Sequence, residues 1–186
     1  MSIASNQIIA EHDLIRGCIQ GDPRMQEALY RQYSPKMYGV CMRYAGRSED
    51  AQDILQDGFI KVYRNLDKFR NEGSFEGWMR RIFVNTAIEH YRKASNLYPV
   101  TESQETQVAD KEWTAFDKMA AKDLVKLIQT LSPGYRTVFN LYVVEGYTHR
   151  EIADMMHISE GTSKSQLARA KNLLQQMIRE QDKKTH

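Results

Sequence analysis

The sequence predicts an all-α chain, two small helical domains joined by a flexible acidic linker. Three observations predict it. Apolar residues recur every three to four positions along most of the chain, and strand-like alternation is nearly absent. The periodicity fails across "SNLYPVTESQETQVADKE", residues 95–112, which has one proline, few apolar residues and mostly acidic charge. Helix-cap signals stand at the edges of the periodic stretches on either side. The domains are therefore placed at 1–94 and 115–182, with the linker at 95–114 and a polar, frayed tail at 183–186.

The elements follow in order. Asp22-Pro23 reads as an N-cap followed by proline in the first turn. The helix from about Arg24 is expected to bend near Ser34-Pro35 and to stop near Gly46. A second helix spans about Ser48 to Leu66 and a third about Phe75 to Lys93, with the glycine-bearing loop "KFRNEGS" between them. After the linker, helices resume near Trp113 and run to about Leu131. Ser132-Pro133 starts another, and Gly146 ends it. "THRE", residues 148–151, has the form of a capping box, with Thr148 as cap and Glu151 reaching back.

Composition narrows the function. The 186 residues are 41% hydrophobic and 27% charged, an ordinary globular balance, and the net charge is only +2. Nucleic-acid binding would have to come from local patches. The two cysteines, Cys18 and Cys41, lie inside apolar helical patterns without metal-ligand spacing, as expected of core thiols in a reducing compartment. No basic segment followed by an apolar core opens the chain, and the longest apolar stretch, Val138–Val144, is far too short to span a bilayer. A cytoplasmic protein is expected. The five histidines are scattered, with no His-x-x-x-His, no paired cysteine motif and no glycine-rich phosphate loop. Neither an enzyme nor a cofactor or metal site is expected.

Residues 148–174 give a short helix, a three-residue turn and a longer helix, the pattern of a helix-turn-helix. Ile152, Ala153 and Met156 face inward on the first helix. Ser163, Leu167, Ala170, Leu174 and Met177 do so on the second, with Ser159 placed to cap it. At about 100° per residue, Gly161, Ser165, Ala168 and Asn172 lie opposite that stripe. Small side chains there let the backbone seat deep in a DNA major groove. Lys164 and Lys171 line one margin, Thr162 and Arg169 the other, within reach of base edges or phosphates.

At this point the stretch "LSPGYRTVFNLYVVEGYTHREIADMMHISEGTSKSQLARAKNLL" resembles region four of the extracytoplasmic-function (ECF) sigma factors of bacteria. That signature has a Leu-Pro-x-x-x-Arg start, then Gly-Tyr-x-x-x-Glu-Ile-Ala, then Gly-Thr-x-Lys-Ser-x-Leu-x-Arg-Ala. The resemblance implies that Thr162, Lys164, Ser165, Ala168, Arg169 and Lys171 contact the −35 promoter element. Two departures from the family stand out. His157 stands in the turn where glycine is frequent, so left-handed backbone angles are expected there. Ser163 stands where valine is frequent.

The first half resembles sigma region two. In residues 48–66, Ala51, Ile54, Leu55, Phe59 and Val62 fall on one side, and Asp50, Asp53 and Asp57 gather on the other. The family pattern "AxDxxQDxF" is met at Ala51, Asp53, Gln56, Asp57 and Phe59. The resemblance implies that Asp50, Asp53, Gln56, Asp57 and Phe59 dock on the clamp helices of the polymerase beta-prime subunit. An acidic, amide-bearing face suits a partner coiled coil displaying arginines. In residues 68–93, Trp78, Met79, Ile82, Phe83 and Thr86 share an inner side, while Arg81, Asn85 and Arg92 share the opposite edge. The resemblance assigns −10 element recognition and strand opening to Phe69, Asn71, Ser74, Trp78, Arg81, Asn85 and Arg92. Where primary sigma factors carry a tryptophan pair as a wedge, this chain has Trp78 and then Met79.

The implied function is an ECF sigma factor. Its partners would be core RNA polymerase, through the beta-prime clamp helices and beta flap, promoter DNA, and an anti-sigma factor that can be membrane-anchored. No third domain follows region four, so built-in regulation is not expected. The competing reading is a two-domain helix-turn-helix regulator that binds duplex DNA on its own, usually as a dimer. The acidic face and the Arg81/Asn85/Arg92 edge argue against it, because a sensor domain needs neither.

Overall fold

The computed structural model describes residues 10–97 and 121–185. Among them all regular structure is helical: α1 (Glu11–Ile19), α2 (Pro23–Tyr44), α3 (Ser48–Asn65), α4 (Phe75–Leu97), α5 (Ala121–Thr130), α6 (Pro133–Phe139), α7 (His149–Met156) and α8 (Glu160–Thr185). The expected all-α fold is met. No helix among the described residues is long and apolar enough to cross a membrane.

The first four helices build one core. Asp22 Oδ1 accepts the Arg24 N–H at 2.8 Å and starts α2, with Pro23 in its first turn. The helix continues through Pro35 to Tyr44. The apolar stripe of α3 is buried in full: Ala51, Ile54, Leu55, Phe59 and Val62. It meets Phe75, Met79 and Phe83 of α4, all fully buried. Gly58 decides how closely these helices cross, because a Cβ there would overlap the Phe83 ring. Phe59 stacks edge-on against Phe83 at 5.2 Å and rests against Tyr30 at 4.7 Å. Cys18 and Cys41 are both buried thiols in this core. α3 passes into a 3-10 turn at Leu66–Lys68, and α4 extends to Leu97, beyond the expected end at Lys93. The rest of the linker and the helix expected from Trp113 to Ala120 lie outside the described residues.

Helices α5 to α8 extend the same buried cluster. Ile128, Leu131, Val138, Phe139, Leu141, Ile152, Leu167 and Leu174 join it. After α6 the backbone widens into a π-helical turn at Asn140–Val144, where the Glu145 N–H donates to Asn140 O at 3.0 Å. Gly146 then takes a positive φ of 79° and ends the segment. α8 runs through to Thr185, so the segment expected to be a frayed tail continues the helix.

Both reader caps form as expected. Thr148 Oγ1 accepts the Glu151 N–H at 3.3 Å, and the Glu151 carboxylate accepts the Thr148 N–H at 2.8 Å. Those bonds hold the Glu151 carboxyl below its usual range. Ser159 Oγ accepts the Thr162 N–H at 2.9 Å and caps α8. His157 ends α7 at φ 57°, ψ 45°, the left-handed conformation expected of it. Thr148→Ala should cost about 1 kcal/mol of stability, while Thr148→Ser keeps most of it. Chemical denaturation of the two variants checks this, and equal midpoints would refute it.

Candidate nucleic-acid interface

α3 presents its acids to solvent as the helical spacing requires. Asp53 and Gln56 are exposed, and Asp50 and Asp57 are half-exposed. Two are engaged by neighbours: Arg47 bonds Asp50 at 3.1 Å, and His90 Nε2 lies 2.8 Å from Asp57 Oδ2. His90 comes from α4, so part of the acidic face is built across two helices. Phe59 corrects the expectation drawn from the sequence. It is 3% exposed, enclosed by Tyr30, Tyr63 and Phe83, and cannot touch a partner directly. An aromatic ring on the apolar stripe of an amphipathic helix goes to the core. Phe59 supports the acidic face from beneath.

The loop before α4 is held by aromatic packing. Phe69 lies 5.1 Å from Phe75 and 5.5 Å from Trp78, and Trp78 stacks on Phe75 at 5.6 Å and 18°. Asn71 turns the loop at φ 57° and Gly73 at φ 88°, both left-handed. Ser74 closes it by accepting the Gly77 N–H at 3.1 Å. Asn71 and Ser74 are exposed, and Phe69 and Trp78 are half-buried. Arg81 and Asn85 stand exposed on the outer edge of α4. Arg92 is half-buried and donates to Met155 O of α7 at 3.4 Å. Met79, at the second wedge position, is fully buried. It belongs to the core because its register faces inward, so of the two wedge positions Trp78 alone reaches this surface.

The front of α8 is shallow, as its small residues require. Gly161 and Lys164 are exposed, and Ser165 and Ala168 are half-buried. Lys164 lies 3.8 Å from Glu160, an exposed pair worth little to the fold. Thr162 shares its hydroxyl with Ser159 at 2.8 Å. Arg169 donates to the Tyr135 hydroxyl at 3.3 Å, and Lys171 sits 5.9 Å over the Tyr142 ring.

Three supporting side chains were not legible in the sequence. Tyr135 orients Arg169. Tyr142 stacks on His149 at 4.5 Å, and His149 Nδ1 lies 2.9 Å from Ser163 Oγ. Ser163 is fully buried, so this contact gives its hydroxyl a partner and ties α7 to the recognition helix. The only sequence trace was serine at an otherwise apolar register position.

Comparison with known proteins gives the family. Residues 29–96 match the family model "Sigma-70 region 2", and residues 121–174 match "Sigma-70, region 4". The chain is 30% identical over 183 residues to the ECF RNA polymerase sigma-E factor of Haemophilus influenzae, covering 91% of this chain and 96% of that protein. It is 30% identical over 186 residues to the RNA polymerase sigma-H factor of Pseudomonas aeruginosa, with the same coverage of 91% and 96%. Among solved structures it resembles the sigma factor RpoE of Bartonella quintana, crystallised with the anti-sigma factor NepR. The TM-score is 0.49 at 19% identity, covering 82% of this chain and 96% of that one. The chain belongs to the extracytoplasmic-function group of the sigma-70 family of RNA polymerase sigma factors.

Proposed function

We propose that the surfaces described above divide the work of a sigma factor among three helices. The acidic face of α3, with Asp50, Asp53, Gln56 and Asp57 outside and Phe59 beneath, docks on the beta-prime clamp helices of core polymerase. The α4 edge and its loop, with Phe69, Asn71, Ser74, Trp78, Arg81, Asn85 and Arg92, recognise and open the −10 element. The front of α8, with Thr162, Lys164, Ser165, Ala168, Arg169 and Lys171, reads the −35 element, and its domain meets the beta flap. The working division stays at 1–94 and 115–182, with 95–114 as tether. The protein acts in the cytoplasm by binding alone, without a catalytic residue. An anti-sigma factor is its expected antagonist.

The observation that carries this reading is the second nucleic-acid surface. A duplex reader needs only α7 and α8. The exposed Arg81 and Asn85 beside a half-exposed, stacked Trp78 suit an unstacked base and a displaced strand.

Polymerase docking supplies the test. Asp53→Lys reverses an exposed charge and should leave the unfolding midpoint unchanged. Affinity for core polymerase, measured by competition with a labelled sigma factor, should fall at least about tenfold, as for loss of a close charge pair. Asp57→Lys should lower it further and also release His90. Unchanged competition by both variants would defeat the assignment of this face.

A further inference from the structure

His90 brings an imidazole from α4 to the acidic face of α3. Its Nε2 lies 2.8 Å from Asp57 Oδ2, with the histidine side chain 28% exposed and the aspartate 49%. Among the described residues Asp57 is the one acid of this face bonded from another helix, since Arg47 reaches Asp50 from three residues back in the chain. Lys61, one turn after Asp57 and well spaced to pair with it, crosses instead to Glu89 at 2.6 Å. The core sets the crossing of α3 and α4 at Gly58 and Phe83. The approach of His90 to Asp57 is therefore imposed by packed helices, not chosen by two loose side chains.

The chemistry of this pair separates geometry from charge. An ionised carboxylate only accepts, so the Nε2–H donates whether the ring is neutral or protonated. The bond is kept in both states, and with it the orientation of Asp57. What changes is charge: the pair is an anion with a neutral ring and neutral overall with imidazolium. Imidazole is the side chain suited to this change between about pH 5 and 8. The charged groups around the pair are Lys61 from α3, already bonded to Glu89, and Lys93 one turn further along α4. The other helices packed on α4 place their polar contacts elsewhere, Lys36 of α2 on Glu76 and Met155 O of α7 on Arg92.

We propose that His90 is a positioning residue of the polymerase-docking face. It holds Asp57 through Oδ2, leaves Oδ1 for an incoming guanidinium, and by taking a proton withdraws the charge that the guanidinium needs. This rests on the reading of α3 as the docking surface. A carboxylate held in place before docking has less freedom to lose on binding. Imidazolium and a partner arginine compete for the same carboxylate, so protonation and docking oppose one another.

The test is competition of the full chain with a labelled sigma factor for core polymerase at about pH 5.5 and about pH 8, either side of an imidazole titration. His90→Gln keeps an N–H donor and does not titrate. It should retain most of the parent's affinity at the higher pH and exceed the parent about three- to tenfold at the lower, as for one charge of a close pair. His90→Ala should bind about two- to threefold less tightly than the glutamine variant at the higher pH, because Asp57 is no longer held. Asp57→Asn carries no charge at either pH. The parent should exceed it about tenfold at the higher pH and by much less at the lower. That arm stands even if circular dichroism shows a His90 variant to be unfolded. Parent-to-variant ratios that are the same at both pH values would overturn the charge switch, and equal affinities of the alanine and glutamine variants would overturn the holding of Asp57. If Asp53→Lys and Asp57→Lys both bind like the parent, the docking face itself fails. If they bind weakly while the ratios stay level, only the role of His90 fails.

Discussion

Asn85→Ala, assembled with core polymerase, is expected to form the closed promoter complex normally and to open it poorly. Asn85 is exposed on α4 between Arg81 and the half-buried Arg92, one edge of a helix whose other side is core. Its amide can bond the edge of a flipped base, and it has no packing role to lose. Unpairing costs a few kcal/mol per base, so capture contacts are needed to offset it. Loss of a contact of about 1–3 kcal/mol lowers the open fraction about 5- to 150-fold. Permanganate reactivity of the −10 thymines should fall on duplex DNA and recover on a template carrying a mismatched bubble. Trp78→Ala should behave alike, since the buried Met79 offers no second ring to share the wedging. Equal reactivity of parent and variants on duplex would remove α4 from the melting step.

Gly58→Val should be the most destabilising single change in the first domain. The overlap falls on Phe83, itself fully buried and packed on Phe59, so the ring has no open side to move toward. Overpacking of this kind costs about 1–3 kcal/mol, a large part of a small domain's whole stability of about 5–15 kcal/mol. Urea denaturation followed by circular dichroism should show an early transition from the first domain. Gly58→Ala should give a smaller shift, because better helix propensity offsets part of the clash. A midpoint unchanged by valine would show that α3 and α4 can move apart.

The helices, their caps and the division of faces were legible because each is written within a few residues. The Thr148 box, the Ser159 cap and the left-handed His157 are local backbone requirements, and local residue types satisfy them. What escaped was carried by contacts between distant positions. Gln129, Arg136 and Asn140 complete a helix that ends some ninety residues earlier, and nothing in their own neighbourhood of the sequence marks that role. Ser163 read as a departure from an apolar position until His149 supplied its partner. Phe59 was misassigned for the opposite reason: its place in a docking motif said nothing of which way the ring turns, and the apolar register did.

The two buried cysteines bear on how this protein can be handled. Burial pushes the Cys18 thiol up to about 11, with Asp22 adding to it, and the Cys41 thiol up to about 12. Near neutral pH both remain protonated, and the thiolate is the form that attacks maleimides, disulfides and peroxides. Oxidants that reach the chain therefore find no ready target in either side chain. Dyes offered at neutral pH will attach to cysteines introduced at the surface and pass over the native pair, so the parent needs no cysteine-free background.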